Sequence, residues 1–528
     1  PLITFLKTEG TNPLANFRNG DIAVLYPHQE GQAVLSNQIF KCSITHITNE
    51  QVTVRLRSRQ FNTRIFEECP LWNLEHDLLD SSFNAMYRGL YAFVNSPADK
   101  QRLLLTQDAP REGLPEDLPV DEELTPEQQD IFRRALAAED YFLLWGPPGT
   151  GKTSIMLKHF VGYLLEHTDE HVLLLAYTNR AVDEICEALD RLRPDIRSHY
   201  LRIGSRYGTA AHFQGQLLQE KIKDVQDRKT LKQIIDHHRI VVGTVSSVAG
   251  KPELLHLKPF QRVIIDEASQ ILEPMLVGLL PHFQRFILIG DHKQLPAVVV
   301  QDPVVSQVED AELQQLGLFN LRNSLFERLF KRCRANSWDW AYAQLSHQGR
   351  MHQDIMRFPN QFFYENTLKI LPGTVPAARK QIRPLNITIE EEATALLREL
   401  CSGRVVFLPT PADDSSAAQK TNVHEAEKVG AVVRAFQQIY ERQNWQFHPN
   451  SIGIITPYRA QIAQIKSVLE SQGAPLESLT IDTVERYQGG SRDVIVLSLC
   501  TNSLNQLAML SSLSEEGVDR KLNVALTR

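Results

Sequence analysis

Cysteine is scarce and scattered: Cys42, Cys69, Cys186, Cys333, Cys401 and Cys500 stand far apart, with no C-x-x-C pair. Such spacing offers no zinc ribbon, iron–sulfur site or disulfide framework. It suits a reducing compartment, cytoplasmic or, in a eukaryote, nuclear. Long apolar runs are missing too. The longest candidate, Ile271 to Gly290, is broken by Glu273, His282, Gln284 and Arg285, so no membrane span is expected. Nor is positive charge in excess. With a formal net charge of −7, any binding of nucleic acid must come from local basic surface. A content of 42% hydrophobic and 23% charged residues is that of an ordinary globular chain. The length suggests about three or four domains. The chain opens on Pro1 and stops at Arg528 inside a patterned segment, which reads as a fragment.

What is present is led by one octapeptide, Gly146-Pro147-Pro148-Gly149-Thr150-Gly151-Lys152-Thr153. It fits the phosphate-cradling pattern G-x-x-x-x-G-K-[ST]. The apolar run Tyr141 to Trp145 precedes it as a strand, and a helical sequence, Ser154 to Glu166, follows. Glycines let the backbone curl so that successive N–H groups and a helix N-terminus face one anion. Lys152 then reaches the β- and γ-phosphates of a nucleoside triphosphate, and the Thr153 hydroxyl joins a Mg²⁺ shell. An ordinary glycine turn is the bland alternative.

The organisation read along the chain is α/β: two tandem RecA-like P-loop domains with parallel sheets, preceded by a small β-barrel and a helical stalk. Residues 1–70 lack helical periodicity and read as the barrel. Within them Gln51 to Gln60 alternates, with Val52, Val54 and Leu56 on one face and Arg55, Arg57 and Arg59 on the other. That basic row is a candidate contact for a nucleic-acid backbone, or else a solvated barrel face. Residues 71–120 read as stalk and linker, helical from Leu71 and proline-rich after Thr106. Residues 121–335 read as the first RecA-like domain, with strands at Tyr141–Trp145, Val172–Tyr177, Ile240–Thr244, Arg262–Asp266 and Arg285–Gly290. A charged helical insertion, 214–239, is expected as a solvated arm. Residues 336–528 read as a second, C-terminally truncated RecA-like domain with strands at Arg404–Leu408, Ile452–Thr456, Ser478–Thr483 and Val494–Leu499.

Other motifs add chemistry. Val263 to Glu267 is an apolar strand ending in two carboxylates: Asp266 is placed to hold Mg²⁺ and Glu267 to polarise the attacking water. Together with the loop, this pair indicates hydrolysis rather than binding alone. Gln294, just past another buried strand, can sense the γ-phosphate. Gln128 can read an adenine edge with both amide atoms, or simply follow a helix N-cap at Thr125. Arg350 and Arg528 are candidate fingers that reach across an interdomain cleft to stabilise charge on the transferring phosphoryl group. Taken singly, each reads better as a surface ion pair, and Arg528 at a free chain end is expected to fray.

Taken in order, several segments resemble the motif series of a superfamily 1B helicase. They are Gln128, the 146–153 loop, Tyr177 to Val182, Val263–Gln270, Gly290–Pro296, Arg350-Met351-His352, Thr456 to Gln461, Tyr487-Gln488-Gly489 and Asn523–Arg528. The branch resembled holds the nonsense-mediated-decay helicase and the Okazaki-fragment nuclease-helicase, bacterial-type members included. The resemblance implies ATP and Mg²⁺ as cofactors, 5′→3′ movement on single-stranded DNA or RNA, and Gly489 among the ATP-binding residues. It also implies strand contacts from Thr178, Asn179 and Thr244 in the first domain and from Thr456, Gln461 and Thr483 in the second.

Two positions depart from the family pattern. Gly349 stands where an aromatic residue usually stacks on the adenine, with Tyr177 as a possible substitute, and Ser491 stands where an acidic residue holds the ribose. An ATP-gated clamp or ribonucleoprotein remodeller with little unwinding is the alternative to a helicase. A P-loop unfoldase acting on protein is a third reading, disfavoured by the second α/β domain. A monomer is favoured, with no membrane partner.

Overall fold

The computed structural model describes residues 2–528 except 12–16, 18, 30–35, 49, 78–81, 115–122, 300, 388–393, 414–419, 450, 475, 477–478, 488–489 and 512. Strands β1 (Leu2–Leu6), β2 (Ile22–Pro27), β3 (Phe40–Ile47), β4 (Gln51–Leu56) and β5 (Trp72–His76) form one antiparallel sheet in the order β1-β4-β3-β2-β5. Alternate residues turn inward, so Ala23, Leu25, Phe40, Cys42, Ile44, Val54 and Leu56 make its core. The sheet's two edge strands meet through the rings of Phe5 and Trp72, 5.7 Å apart, which curls it toward a barrel. Two expectations fail here. Residues 72–76 are a strand and not the start of a helix. Strand β4 ends at Leu56 and its pairing with β3 ends one residue on, where Arg57 N donates to Lys41 O at 2.9 Å, so Arg55 and Arg57 keep the outer face while Arg59 lies beyond the ladder and the three arginines do not stand in one row. A strand direction lasts only while its backbone groups are paired.

Two helices follow, Ser82–Val94 and Ala98–Leu104. The first meets the helix Glu273–Val277 almost backbone to backbone. A Cβ at Gly89 would lie 2.0 Å from the Pro274 carbonyl oxygen, and one at Gly278 would lie 2.2 Å from that of Gly89. Leu103 and Leu104 enter the core of the next domain, so the stalk is packed into it.

That domain carries β6 (Tyr141–Trp145), β7 (Val172–Ala176), β8 (Tyr200–Ile203), β9 (Ile240–Thr244), β10 (Arg262–Asp266), β11 (Arg285–Gly290) and β12 (Tyr342–Gln344). All seven are parallel, ordered β12-β6-β11-β10-β7-β9-β8, and buried on both faces by helices. Strands β8 and β12 escaped the sequence reading because each is short, and β12 carries the first domain past residue 335. The 214–239 insertion is anchored at both ends, while residues 218–234 between them stay half-buried or exposed. Phe213 is buried beside its start, and the buried Lys258 Nζ donates to the carbonyls of Ile235 and Asp236, at 2.8 and 3.3 Å, at the end of the helix Arg228–His237.

The pair β13 (His347–Gln348) and β14 (Lys369–Ile370) links to a second parallel sheet, β16-β15-β17, from β15 (Ile452–Ile455), β16 (Leu479–Asp482) and β17 (Val494–Leu497). Helices Val423–Arg442 and Arg459–Ser471 cover one face through Ala426, Val429, Val433, Ile462, Ile465 and Leu469. Residues 404–408 do not join this sheet. Their apolar pattern finds no ladder partner, and Val405 and Phe407 stay exposed. Among the described residues no helix is long and apolar enough to cross a membrane.

The Gly89–Gly278 contact yields a test. Gly89→Ala should destabilise the protein by about 1–3 kcal/mol in urea unfolding, because the neighbouring atom is backbone and cannot swing away. Gly373→Ala, with nothing within 4 Å of its Cβ, should stay within about 0.5 kcal/mol.

Candidate active site

The parallel register sets where the chemistry gathers. Strands β6, β11 and β10 end side by side, Trp145 opposite Gly290 and Ile265 opposite Leu288, so the loops after them open on one edge. Gly149 and Gly151 take φ of 76° and 80°, a region open to glycine at little cost. Ile155 N and Met156 N both donate to Gly151 O, at 2.9 and 3.0 Å, which widens the first helical turn after the loop into a π-turn.

Lys152 Nζ lies 2.9 Å from Glu267 Oε1, and Thr153 Oγ1 donates to Asp266 Oδ2 at 2.5 Å. Burial and the adjacent Glu267 push the Asp266 carboxyl up to about 6. Burial works against Glu267 as well, yet Lys152 holds it below the usual carboxylate range. Glu267 takes a left-handed φ of 52°, strained for a side chain of its size. Its Oε2 accepts from Gln270 Nε2 at 3.0 Å.

From the other side of the cleft come the arginines. Residues 348–350 cross directly over the loop: Gly349 N donates to Gly149 O at 2.9 Å, and a Cβ on Gly149 would lie 2.6 Å from that of Arg350. The buried Gln348 shapes this crossing by accepting from the N–H groups of Arg350 and Met351. Arg350 Nη1 donates to Thr527 O at 3.2 Å. Arg528 does not fray. It is 8% exposed, and its Nη2 donates to Gln294 Oε1 at 2.9 Å. Burial, with Arg350 nearby, lowers the Arg528 guanidinium to about 9. The helix Arg520–Leu526 is docked by its own polar residues, which explains the order: Asn523 Nδ2 donates to Lys293 O and to Tyr364 Oη, and Arg520 pairs with the buried Glu327. Residues 147–153, Glu267, Gln294, Arg350 and Arg528 line one cleft of about 1810 Å³, and Gly146 leads into it from β6.

Other expected residues fall differently. Gln128 is buried in a capping box, its Oε1 accepting from Thr125 N, so one of its two amide atoms is committed to the helix start. It does not line the cleft, and neither does Tyr177, which packs on the first domain's core. Thr178 and Thr244 cap helices at the ends of β7 and β9, and Asn179 is exposed beside them. Thr456 and Thr483 follow β15 and β16, and Thr456 Oγ1 is buried with no hydrogen-bond partner among the described residues. These four threonines therefore sit on the C-terminal edges of their sheets.

Gln461 does not join them. It is fully buried and bonds to Asn422 N, Asn422 O and Ser498 Oγ, a tie between helices that leaves nothing for a strand. Arg55 lies 4.9 Å from the Tyr207 ring of the first domain. Gly489 lies outside the described residues. Sequence reasoning missed Glu184, which lines the cleft one turn beyond Arg180 and whose carboxyl burial raises. It also missed Tyr364. The helical spacing from Arg180 was the available signal for the first, and nothing local marks the second.

Family models described as AAA domains match residues 123–229, 208–302 and 321–528. The chain is 28% identical to the DNA replication ATP-dependent helicase/nuclease DNA2 of Xenopus laevis, over 100% of this chain and 48% of that protein. It is 29% identical to the DNA polymerase alpha-associated DNA helicase A of Saccharomyces cerevisiae, over 77% of this chain and 64% of the other. The chain belongs to the superfamily 1 helicases. Its branch is that of the Okazaki-fragment nuclease-helicase and the nonsense-mediated-decay helicase. An uncharacterized ATP-dependent helicase of Methanocaldococcus jannaschii is 26% identical over 85% of this chain and 73% of its own. The chain spans about half the length of the DNA2 relatives it matches.

Of the two departures from the family pattern, only Gly349 has a local constraint, and nothing in the structure explains Ser491. A side chain at Gly349 would meet Leu371 Cδ1 at 3.0 Å, and Ser491 lines the cleft without a carboxylate. The Lys152–Glu267 pair leads to two variants. Lys152→Ala should cut nucleotide hydrolysis by roughly 100-fold or more while single-strand binding survives. Glu267→Gln should keep nucleotide binding and lower turnover by about 100- to 10,000-fold, measured by phosphate release.

Proposed function

We propose that this chain is the motor of an ATP-dependent helicase or translocase acting on single-stranded nucleic acid, moving 5′→3′ as its family implies. The observation that carries the reading is the meeting of Arg350 and Arg528 with the phosphate loop, Glu267 and Gln294 in one cleft. Phosphates entering the loop compete with Glu267 for the Lys152 ammonium. Once freed, Glu267 is placed to orient a water and take its proton as the γ-phosphoryl group leaves. Arg350 and Arg528 stabilise the charge that develops, and their approach makes cleft closure depend on the nucleotide. The hydroxyl of Thr153 and the carboxylate of Asp266 converge as hard oxygen donors and fit Mg²⁺. Bound there, the ion would neutralise phosphate charge.

Loss of the γ-phosphate would be felt at Gln294, whose amide joins Arg528 of the second domain to Asp291 of the first. Thr178, Asn179, Thr244, Thr456 and Thr483 supply sequence-independent contacts to the strand. The relatives named for DNA replication and DNA polymerase favour DNA as that strand.

Phosphate release measured with and without single-stranded DNA or RNA tests the reading. Stimulation by a single strand is expected, with strand displacement in a forked substrate. Hydrolysis indifferent to either polymer would overturn it. Gly349 leaves one face of the base without an aromatic partner, so discrimination between ATP and GTP should be weak. Gly349→Tyr should tighten ATP by about 1 kcal/mol in calorimetry, at the low end of base–aromatic stacking because Leu371 must give way.

A further inference from the structure

A carboxylate of the barrel, Asp21, is held by two arginines of the second RecA-like domain. Asp21, at the start of β2, is 7% exposed, and its backbone carbonyl accepts from Ile44 N inside the barrel. Its Oδ1 accepts from Arg486 Nη2 at 2.9 Å and its Oδ2 from Arg459 Nη1 at 3.3 Å. His76 of the barrel stands 3.0 Å from the same Arg459 nitrogen through Nε2. Two arginines separated by a whole motif thus converge on an acid that belongs to another domain.

Their positions matter. Arg459 opens the helix Arg459–Ser471, three residues after Thr456, and Arg486 lies three residues after Thr483. Both therefore stand on the edge of the second sheet where the strand is proposed to pass. The helix start has no side-chain cap, and the buried Thr456 hydroxyl has no partner among the described residues, so donors gather at this edge. Both arginine side chains are well exposed, at 40% and 45%, while the Asp21 side chain is 6% exposed. Arg486 is also fixed to the first domain, its carbonyl accepting from Arg180 Nη1 at 3.0 Å.

A carboxylate and a phosphodiester accept the same guanidinium donors. We propose that Arg459 and Arg486 form a phosphate-binding pair for the backbone of the single strand, and that Asp21 occupies this pair when the barrel is docked. This rests on the strand-dependent reading above and adds its binding residues and their competitor. Strand phosphates take over the arginines, the barrel loses its hold on the second domain, and docking and strand binding oppose one another by linkage. The chain is acidic overall, so a site that holds back two arginines with a carboxylate also limits binding to the wrong polyanion.

The test uses the full chain and a fluorescent oligo-thymidylate, with affinity read over a salt series. Asp21→Asn keeps the side-chain size and should tighten strand binding by about 5-fold or more. Arg459→Gln combined with Arg486→Gln should weaken it and reduce the log–log salt slope by about 1.4, since each phosphate no longer neutralised accounts for about 0.7. In that double-variant background Asp21→Asn should have no further effect on affinity. Unchanged affinity in Asp21→Asn, or an unchanged slope in the arginine variant, would overturn the proposal while leaving strand-stimulated hydrolysis of the unmodified chain intact. An unmodified chain that neither binds the oligonucleotide nor responds to it overturns both readings. If the arginine variant does not fold, the affinity of Asp21→Asn alone decides.

Discussion

The interaction on which the two-domain geometry depends is the buried carboxylate of Asp291. One oxygen accepts from Trp145 Nε1 at 2.9 Å and Lys293 N at 3.0 Å, and the other from Gln294 Nε2 at 2.6 Å and Tyr364 Oη at 2.8 Å. Those four donors come from the strand before the phosphate loop, the chain beyond β11, the amide facing Arg528, and the end of the helix Gln353–Phe363. Tyr364 Oη in turn accepts from Asn523 of the last helix. Asp291 is completely buried, and a carboxylate there is tolerable only when each lone pair is met. Its full set of partners makes it a rigid junction between the sheet of the first domain and the helix Arg520–Leu526 that leads to Arg528.

The cleft itself is a balance of buried charge. Asp266, Glu267 and Glu184 face Lys152, Arg350 and Arg528. Glu267 stays ionised because Lys152 touches it. Asp266 is pushed the other way, first by burial and then by the like charge of Glu267 beside it. A polyphosphate entering this set changes every partner at once, which is how one ligand can reorganise residues contributed by both domains.

The barrel is coupled to that machinery from two sides. Arg55 rests over Tyr207 of the first domain, and Asp21 reaches Arg459 and Arg486 of the second. The stalk helix is held against Glu273–Val277 by the paired glycines, so the barrel has a fixed foot on one domain and a polar, breakable grip on the other. Apolar packing of that closeness resists separation. Exposed ion pairs yield to salt and to competing anions.

The phosphate loop, the Asp266-Glu267 pair, Gln294 and the two tandem α/β units were legible in the residues. Each is written in local backbone demands: glycines at positive φ, apolar runs covered on both faces, and carboxylates at a strand end. Short strands such as β8 and β12 were not legible, because three or four residues carry no periodicity and are strands only by virtue of their neighbours. The row of Arg55, Arg57 and Arg59 read as continuous alternation, yet pairing ends with Arg57 N on Lys41 O and Arg59 falls outside it. Gln461 sits in a motif that resembles a strand contact, and packing turned it inward to Asn422. Arg528 looked like a loose end, and Gln294 with Asn523 made it part of the cleft. Sequence alone determined which chemistry this protein can attempt, since phosphate loops and acidic strand ends are local patterns. Which arginines reach that chemistry, and which acid restrains Arg459 and Arg486, only the tertiary structure decided. Those pairings join residues hundreds of positions apart, and no spacing along the chain encodes them.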